Sequence, residues 1–496
     1  MIGAMWRILF PGLLAACVVS PVGAQTSSGS VATPAEVQRE IQQRIDRVTS
    51  GLTGPVVDKN VPHSMKTLIA EMAAMHVPGV SIAVVHNGVI EWARGFGVVA
   101  LGGAAVMPET LFQAGSISKP VAAMAALRLV QQGKMGLDTD INTYLTSWKL
   151  PTSNAAAGKT VTMRELLTHT GGTTVHGFAG YAAGAPVPTL VQVLDGAKPA
   201  NSEAIRVDME PGTKWRYSGG GYTIMQQALI DVTQQPFPRL LHDTVLGPIG
   251  MTHSTYEQPL PKDWKPVATP YDDQGKPIPG GAHTYSEMAA AGLWTTASDL
   301  AKYVIENQLS LEGKANHVLS SAMTKQMLTP GKGNHGLGPA MGGSSSRPFF
   351  THGGVDEGFE ALFVGYEGGD GAVVMTNAQG GIRLAQEVMA SIATEYGWPD
   401  FRPAMHTSIS VDPKVLAQYV GTYEISPEFS IAMTLEGNQL MTQATGQPKF
   451  PMFAESQTKF FLTVVDAEVE FFKNDKGEVA YISLHQIGLD TKAVKK

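Results

Sequence analysis

Ser116 and Lys119 stand three residues apart at the head of an apolar run, Val121 to Val130. That spacing stacks the two side chains on one face of a helix. A serine hydroxyl becomes an effective nucleophile when a base sits beside it, and a lysine amine serves when burial or nearby cations favour its neutral form. The run that follows is apolar on nearly every side, so the helix is expected to be central and to shield the pair from water. Ser-x-x-Lys also decorates solvated surface helices, so the motif needs support from elsewhere in the chain. Two segments offer it. Lys214-Trp215-Arg216-Tyr217-Ser218-Gly219-Gly220-Gly221 places a tyrosine before a glycine-rich turn, and Phe350-Thr351-His352-Gly353-Gly354-Val355 leads into the strand-like stretch Ala361 to Tyr366.

The order Ser-x-x-Lys, then Tyr-x-Gly, then His-x-Gly on a strand resembles the serine β-lactamase and penicillin-binding-protein superfamily. The closest look is to class C β-lactamases, D-aminopeptidases and family VIII-type esterases. Val77-Pro78-Gly79-Val80-Ser81, Leu166-Leu167-Thr168-His169-Thr170-Gly171-Gly172 and Leu293-Trp294-Thr295-Thr296-Ala297-Ser298-Asp299-Leu300 extend the likeness from about residue 60 to about residue 400. The resemblance implies an acyl-enzyme on Ser116, with Lys119 and Tyr217 jointly handling its proton. It also implies an oxyanion hole made by the backbone N–H groups of Ser116 and Val355. His352, Gly353, Gly354 and Gly219 would then contact substrate. Two departures narrow that substrate. His352 stands where many relatives carry lysine, so a permanent positive charge for a substrate carboxylate is missing. Gly219 stands where β-lactamases usually carry asparagine. Both point away from β-lactams and toward a peptide or an ester.

Blander readings apply to the neighbours. His169 is expected to be structural, Trp215 and Arg216 to be framework, and Tyr271-Asp272-Asp273-Gln274-Gly275 to be a polar turn and not a metal site. No His-Glu-x-x-His, P-loop or Gly-x-Ser-x-Gly elbow stands in a supporting context, so neither a cofactor nor a metal is expected.

These residues have to be carried by a large scaffold. The 496-residue chain is long enough for two domains, and its net charge of −7 without a basic run argues against nucleic acid as a partner. Arg7, the apolar stretch Ile8 to Val19 and Val22-Gly23-Ala24 read as an export signal cut after Ala24. Leu14-Ala15-Ala16-Cys17 competes as a lipobox that would anchor the chain through Cys17. Cys17 is the single cysteine, so no intramolecular disulfide forms. No later segment is apolar for long enough to span a bilayer.

The fold class expected is α+β. Helices are predicted over Pro34 to Leu52, with Thr33 as N-cap, and over about His63 to Met75. Val80 to Val85 and Val89 to Trp92 flank Asn87-Gly88 and read as a hairpin. A mostly helical stretch from Ser116 to Asn307 separates these from strands over Phe359 to Thr376 and a helix over about Ile382 to Tyr396. By resemblance, this is an antiparallel sheet flanked by helices with an all-helical lobe, the site lying between them. From Asp412 onward, short alternating segments suggest a small all-β, lipocalin-like domain. The division expected is a signal over 1–24, an extension with a helix over 25–58, a hydrolase domain over 59–402, a linker over 403–412 and a β-rich domain over 413–496. The function expected is an exported hydrolase of small or D-residue-containing peptides. Alternatives are a carboxylesterase, a weak β-lactamase, or an acylatable sensor or scaffold that does not turn over.

Overall fold

A computed structural model describes residues 33–61, 65–486 and 489–496. The export signal, Cys17 and His63 lie outside the described residues; the helix expected from about His63 begins only at Leu68, capped by Thr67, and ends at Ala74. The fold is α+β, as expected. Its centre is a six-stranded antiparallel sheet of β1 (Gly79–His86), β2 (Val89–Gly97), β3 (Ala340–Ser344), β4 (Arg347–Asp356), β5 (Phe359–Tyr366) and β6 (Gly371–Thr376). The strands lie in the order β2-β1-β6-β5-β4-β3. Asn87 and Gly88 take φ of 53° and 76°, the positive pair that a two-residue turn between twisted strands requires.

Both faces of the sheet are covered, and the period of two sorts the side chains between them. Val80, Ile82, Val84 and Val374 pack under α1 (Pro34–Ser50) and, later in the chain, the helix Gly381–Glu395. Ala83, Val85, Phe363 and Val373 face the opposite way, into the core of the helical lobe. Thr33 caps α1 through a reciprocal exchange with Glu36, which satisfies donors the first turn leaves free. Ile45 and Val48 of that helix are buried, whereas Val37 projects into solvent.

The lobe is organised by α2 (Ser118–Gln131), α3 (Gly219–Thr233) and α4 (Ala297–Leu311). Val121 to Leu127 of α2 are all fully buried, as the all-round apolar pattern required. Pro120 fits the first turn, where a missing N–H costs nothing. The sheet resumes earlier than the sequence suggested, at Ala340. β3 and β4 form a hairpin whose register runs from Ala340 opposite Thr351 to Ser344 opposite Arg347. The His352–Asp356 end of β4 therefore has no strand partner on its outer side. The last helix of this body is α5 (Gly381–Glu395).

Beyond α5, Ala404–His406 pairs in parallel with Val56–Asp58, tying the segment after the sheet to the N-terminal extension. Residues Pro413–Tyr419 form a helix capped by Asp412, an element that the all-β expectation for this region did not include. Nine short strands then build an antiparallel sheet that curls almost into a barrel. Its two edge strands, Phe450–Pro451 and Phe453–Ala454, are halves of one stretch. The first pairs with Met441–Thr442 and the second with Phe460–Phe461, so the ends of the sheet are drawn together. Tyr419, Tyr423, Phe460 and Phe471 fill its interior. Among the described residues no helix is long and apolar enough to cross a membrane.

Candidate active site

Ser116 lies in a single 3-10 turn, Gly115–Ile117, that runs straight into α2. Lys119 follows one turn later and is 1% exposed. Its Nζ donates to Ser116 Oγ at 2.9 Å and to the Ala290 carbonyl at 2.8 Å. The same amine stands 4.9 Å from the ring centre of Tyr217 and 5.9 Å from that of Tyr222. Aromatic faces at that range hold a cation in place. One nitrogen thus stands against the hydroxyl, the short helix Met288–Ala291 and the ring of Tyr217.

The turn carrying Ser116 is pressed against β4. A Cβ on Gly354 would stand 1.9 Å from the Ala114 carbonyl oxygen. A Cβ on Gly115, whose φ is +51°, would stand 2.4 Å from the Val355 nitrogen. Only two facing glycines allow backbone to lie this close, and the approach brings the amides of Ser116 and Val355 to the same wall. Along β4, His352, Gly354 and Asp356 turn toward the lobe, while Gly353 and Val355 face out.

Ser116, Lys119, Tyr217, His352, Gly353 and Val355 all line one cavity of about 1120 Å³. Gly354 lies behind its wall, in contact with Ala114. Gly219 does not line it either. It opens α3, its N–H donates to the His176 carbonyl at 2.9 Å, and a Cβ there would meet Phe178 at 3.0 Å. The missing side chain makes room for the His176–Phe178 segment, which lines the cavity itself.

His352 Nδ1 is 2.6 Å from the Gly353 carbonyl, an acceptor, so this nitrogen carries the proton. Nε2 is then an acceptor, buried and without a partner. Burial, with the nearby Lys119 charge, pushes the imidazole down to about 3, so the ring is neutral at ordinary pH. His169 accepts the Ser218 N–H through Nδ1 at 3.1 Å and lies 4.3 Å from the Tyr217 ring. It packs the tyrosine loop, and burial holds its pKa well below the usual histidine range. Arg216 pairs with Asp208 and with the carbonyls of Gly172 and Thr173, a framework role. Trp215, also expected as framework, lines the cavity and stacks on His335 at 5.2 Å.

His335 and His176 were not anticipated. Both line the cavity. His176 lies 4.9 Å from Tyr217, opposite His169. His335 lies 5.2 Å from His169, and burial pushes it down to about 4. Each sits in an irregular, glycine-containing loop without periodicity, so the sequence holds no local signal for them.

A buried acid flanks this machinery. Glu287 is 0% exposed, immediately precedes the short helix that presents the Ala290 carbonyl, and accepts the Tyr181 hydroxyl at 3.1 Å. Burial pushes its carboxyl up to about 7. The folded protein therefore holds a proton that the unfolded chain releases near 4.5, and the resulting stability disappears as pH rises through 7. His335 and His352 act oppositely, losing stability as pH falls below 6.5. The slope of the parent protein mixes the two. Glu287→Gln isolates the acid: relative to the parent it is expected to gain roughly 2–3 kcal/mol between pH 5 and pH 8. Melting curves of both proteins at the two pH values check this, and a difference that does not change with pH contradicts it.

Among the described residues, His406, Glu455 and Glu468 form a group with spacing suited to a metal ion. Lys459 Nζ already bridges the carboxylates, at 3.3 Å from Glu455 and 2.8 Å from Glu468, so an ammonium occupies their charge. Asp272 accepts the N–H groups of Gln274 and Lys276 and closes a turn.

The beta-lactamase family profile matches residues 65–393, and a domain of unknown function, DUF3471, matches residues 406–495. PbpX of Bacillus subtilis is 26% identical over 282 residues, 56% of this chain and 65% of that protein. Protein flp of Staphylococcus aureus is 25% identical over 44% of this chain, which spans 41% of flp. Among solved structures, the octameric penicillin-binding protein homologue of Pyrococcus abyssi aligns with a TM-score of 0.58 and 20% identity, over 86% of this chain and 98% of that one. The D-amino acid amidase of Ochrobactrum anthropi SV3 aligns at 0.55 and 18% identity, over 71% and 99%. At such identities the two structures speak for the fold alone. The profile, which spans well over half of the sequence, places the chain in the beta-lactamase family, whose members are serine hydrolases.

Proposed function

We propose that this chain is an exported hydrolase that cleaves an amide or ester bond through an acyl-enzyme on Ser116. Its favoured substrates would be peptides with a small or D-configured residue. The observation that carries this is the 2.9 Å contact between Lys119 Nζ and Ser116 Oγ inside a cavity shared with Tyr217 and Val355. In this reading the hydroxyl proton passes to the Lys119–Tyr217 pair as Oγ bonds to the carbonyl carbon. The N–H groups of Ser116 and Val355 hold the oxyanion. Collapse breaks the bond to the leaving group, which takes up a proton, and water then hydrolyses the ester on Ser116. His352 Nε2, as an acceptor, suits a substrate N–H better than a carboxylate. This favours peptides over β-lactams, whose carboxylate would find a neutral ring. A solved structure of similar fold is a D-amino acid amidase, whose amide substrate has no carboxylate and agrees with the D-residue preference.

A carboxylesterase is the second reading, favoured by the largely apolar cavity wall. Labelling of the mature protein with a fluorophosphonate, mapped by peptide mass spectrometry, tests the nucleophile. Turnover of p-nitrophenyl acetate against D-Ala-p-nitroanilide then separates esterase from peptidase. Labelling at Ser116 with faster anilide turnover is the expected result. Absence of labelling at Ser116 would sink the assignment and favour a binding or sensor protein. Export is tested separately, by N-terminal sequencing of the mature chain: a start at Gln25 is expected, and a lipid-modified Cys17 would mean anchoring.

A further inference from the structure

The cavity around Ser116 extends beyond the residues that the family profile matches. It is also lined by four segments outside the matched residues 65–393: Thr53 and Pro55 of the extension, Phe401–Pro403 of the connecting stretch, Gln486 of the barrel and Val464–Asp466 of the barrel. The last of these is the loop between strands Lys459–Phe461 and Ala467–Lys473. Val464 is 41% exposed, Val465 beside it is half-buried, and both line the cavity. Val355 and Leu362 of the sheet and Ala390 of α5 line the same cavity. Polar side chains at this end carry both signs. Arg383 lies 3.5 Å from Glu387, burial pushes Glu387 up to about 7, and Arg402 and Asp466 face the same space. A mixed rim of this kind selects no net charge, so the discrimination available here is apolar.

We infer that the C-terminal barrel supplies a specificity subsite, in which Val464 and Val465 receive an apolar extension of the substrate reaching beyond the bond cleaved at Ser116. The inference rests on Ser116 being the nucleophile. A cavity of about 1120 Å³ is far larger than an alanyl group needs, and its continuity from Ser116 to the barrel loop gives a long substrate one unbroken surface. The barrel is in this respect part of the active site and not a detached module.

The test compares the intact protein with Val464→Asp and Val464→Ser. The readout is the ratio of kcat/KM for octanoyl over acetyl p-nitrophenyl esters, and for octyl over ethyl acetate, so that extension on either side of the ester is sampled. The parent is expected to prefer the long member of at least one series. Val464→Asp should reduce that preference by at least about tenfold and Val464→Ser by less, because a few desolvated methylenes are worth such a factor. Melting temperatures within a few degrees of the parent establish that the variants are folded. A preference unchanged in both folded variants, or no preference for long members in the parent, overturns the subsite while leaving Ser116 intact. Absence of labelling of Ser116 by a fluorophosphonate removes the nucleophile and the subsite together.

Discussion

Lys119→Met is expected to lower kcat/KM by on the order of 10⁴-fold or more, about as much as Ser116→Ala, with the double variant no worse than either. In the proposed mechanism the two residues act as one unit. The amine that receives the proton has no use without the hydroxyl, and the hydroxyl has no other amine within reach, so the losses cannot add. Methionine matches the length and apolar stem of the lysine in a site that is 1% exposed. Its introduction leaves the Ala290 carbonyl without the donor at 2.8 Å, a loss of about 1–3 kcal/mol. Removing a buried polar amine, whose desolvation folding must otherwise overcome, offsets part of that cost. Stability should therefore move little while turnover collapses. Steady-state kinetics on p-nitrophenyl acetate, beside melting curves, check both halves. If Lys119→Met retained a tenth of the parent rate, the lysine would be a scaffold residue and Tyr217 would be left as the sole base.

The parts of this arrangement that were legible in the sequence are those governed by local geometry. Ser116 and Lys119 share a face because a helix brings i and i+3 together, and the apolar surroundings of α2 announced its burial. Asn87-Gly88 specified a turn because few other dipeptides adopt two positive φ values. Gly353-Gly354 marked a strand approached by backbone, although the partner that approaches is Ala114 of the protein itself. What stayed hidden depends on tertiary placement. Gly219 reads as a missing ligand but makes room for His176 and Phe178. His335 comes from an irregular loop far along the chain. The closing strands of the barrel are two residues each and contain Pro451, so neither length nor alternation reveals them. The Pro413–Tyr419 helix is only seven residues long, too short for a clear period, although Asp412 before Pro413 is an N-cap signal. Nothing in the pattern of Val464-Val465-Asp466 says which surface this loop will meet.

Neighbouring glycines on β4 provide the sharpest structural test, because the same substitution should have opposite consequences one residue apart. At Gly353 an added Cβ meets only the Ala361 carbonyl oxygen, at 3.8 Å, an ordinary contact. Alanine there should leave stability unchanged or slightly improved, since it reduces the freedom of the unfolded chain. At Gly354 the added Cβ would lie 1.9 Å from the Ala114 oxygen and 2.9 Å from its carbon, and both atoms belong to backbone that no rotamer change can clear. Relief requires β4 to draw back from the Ser116 turn by more than about 1 Å. Overpacking of this kind costs about 1–3 kcal/mol. The larger effect falls on activity. Ser116 and Val355 carry the proposed oxyanion donors, and moving one wall relative to the other by that distance is worth roughly 10²-fold or more in rate. Gly354→Ala is therefore expected to label with fluorophosphonate at least about a hundredfold more slowly than the parent while remaining folded at 25 °C. A labelling rate equal to the parent's would mean that β4 and the Ser116 turn do not cooperate in holding the oxyanion, and the donor pair would have to be sought elsewhere along the exposed edge of β4.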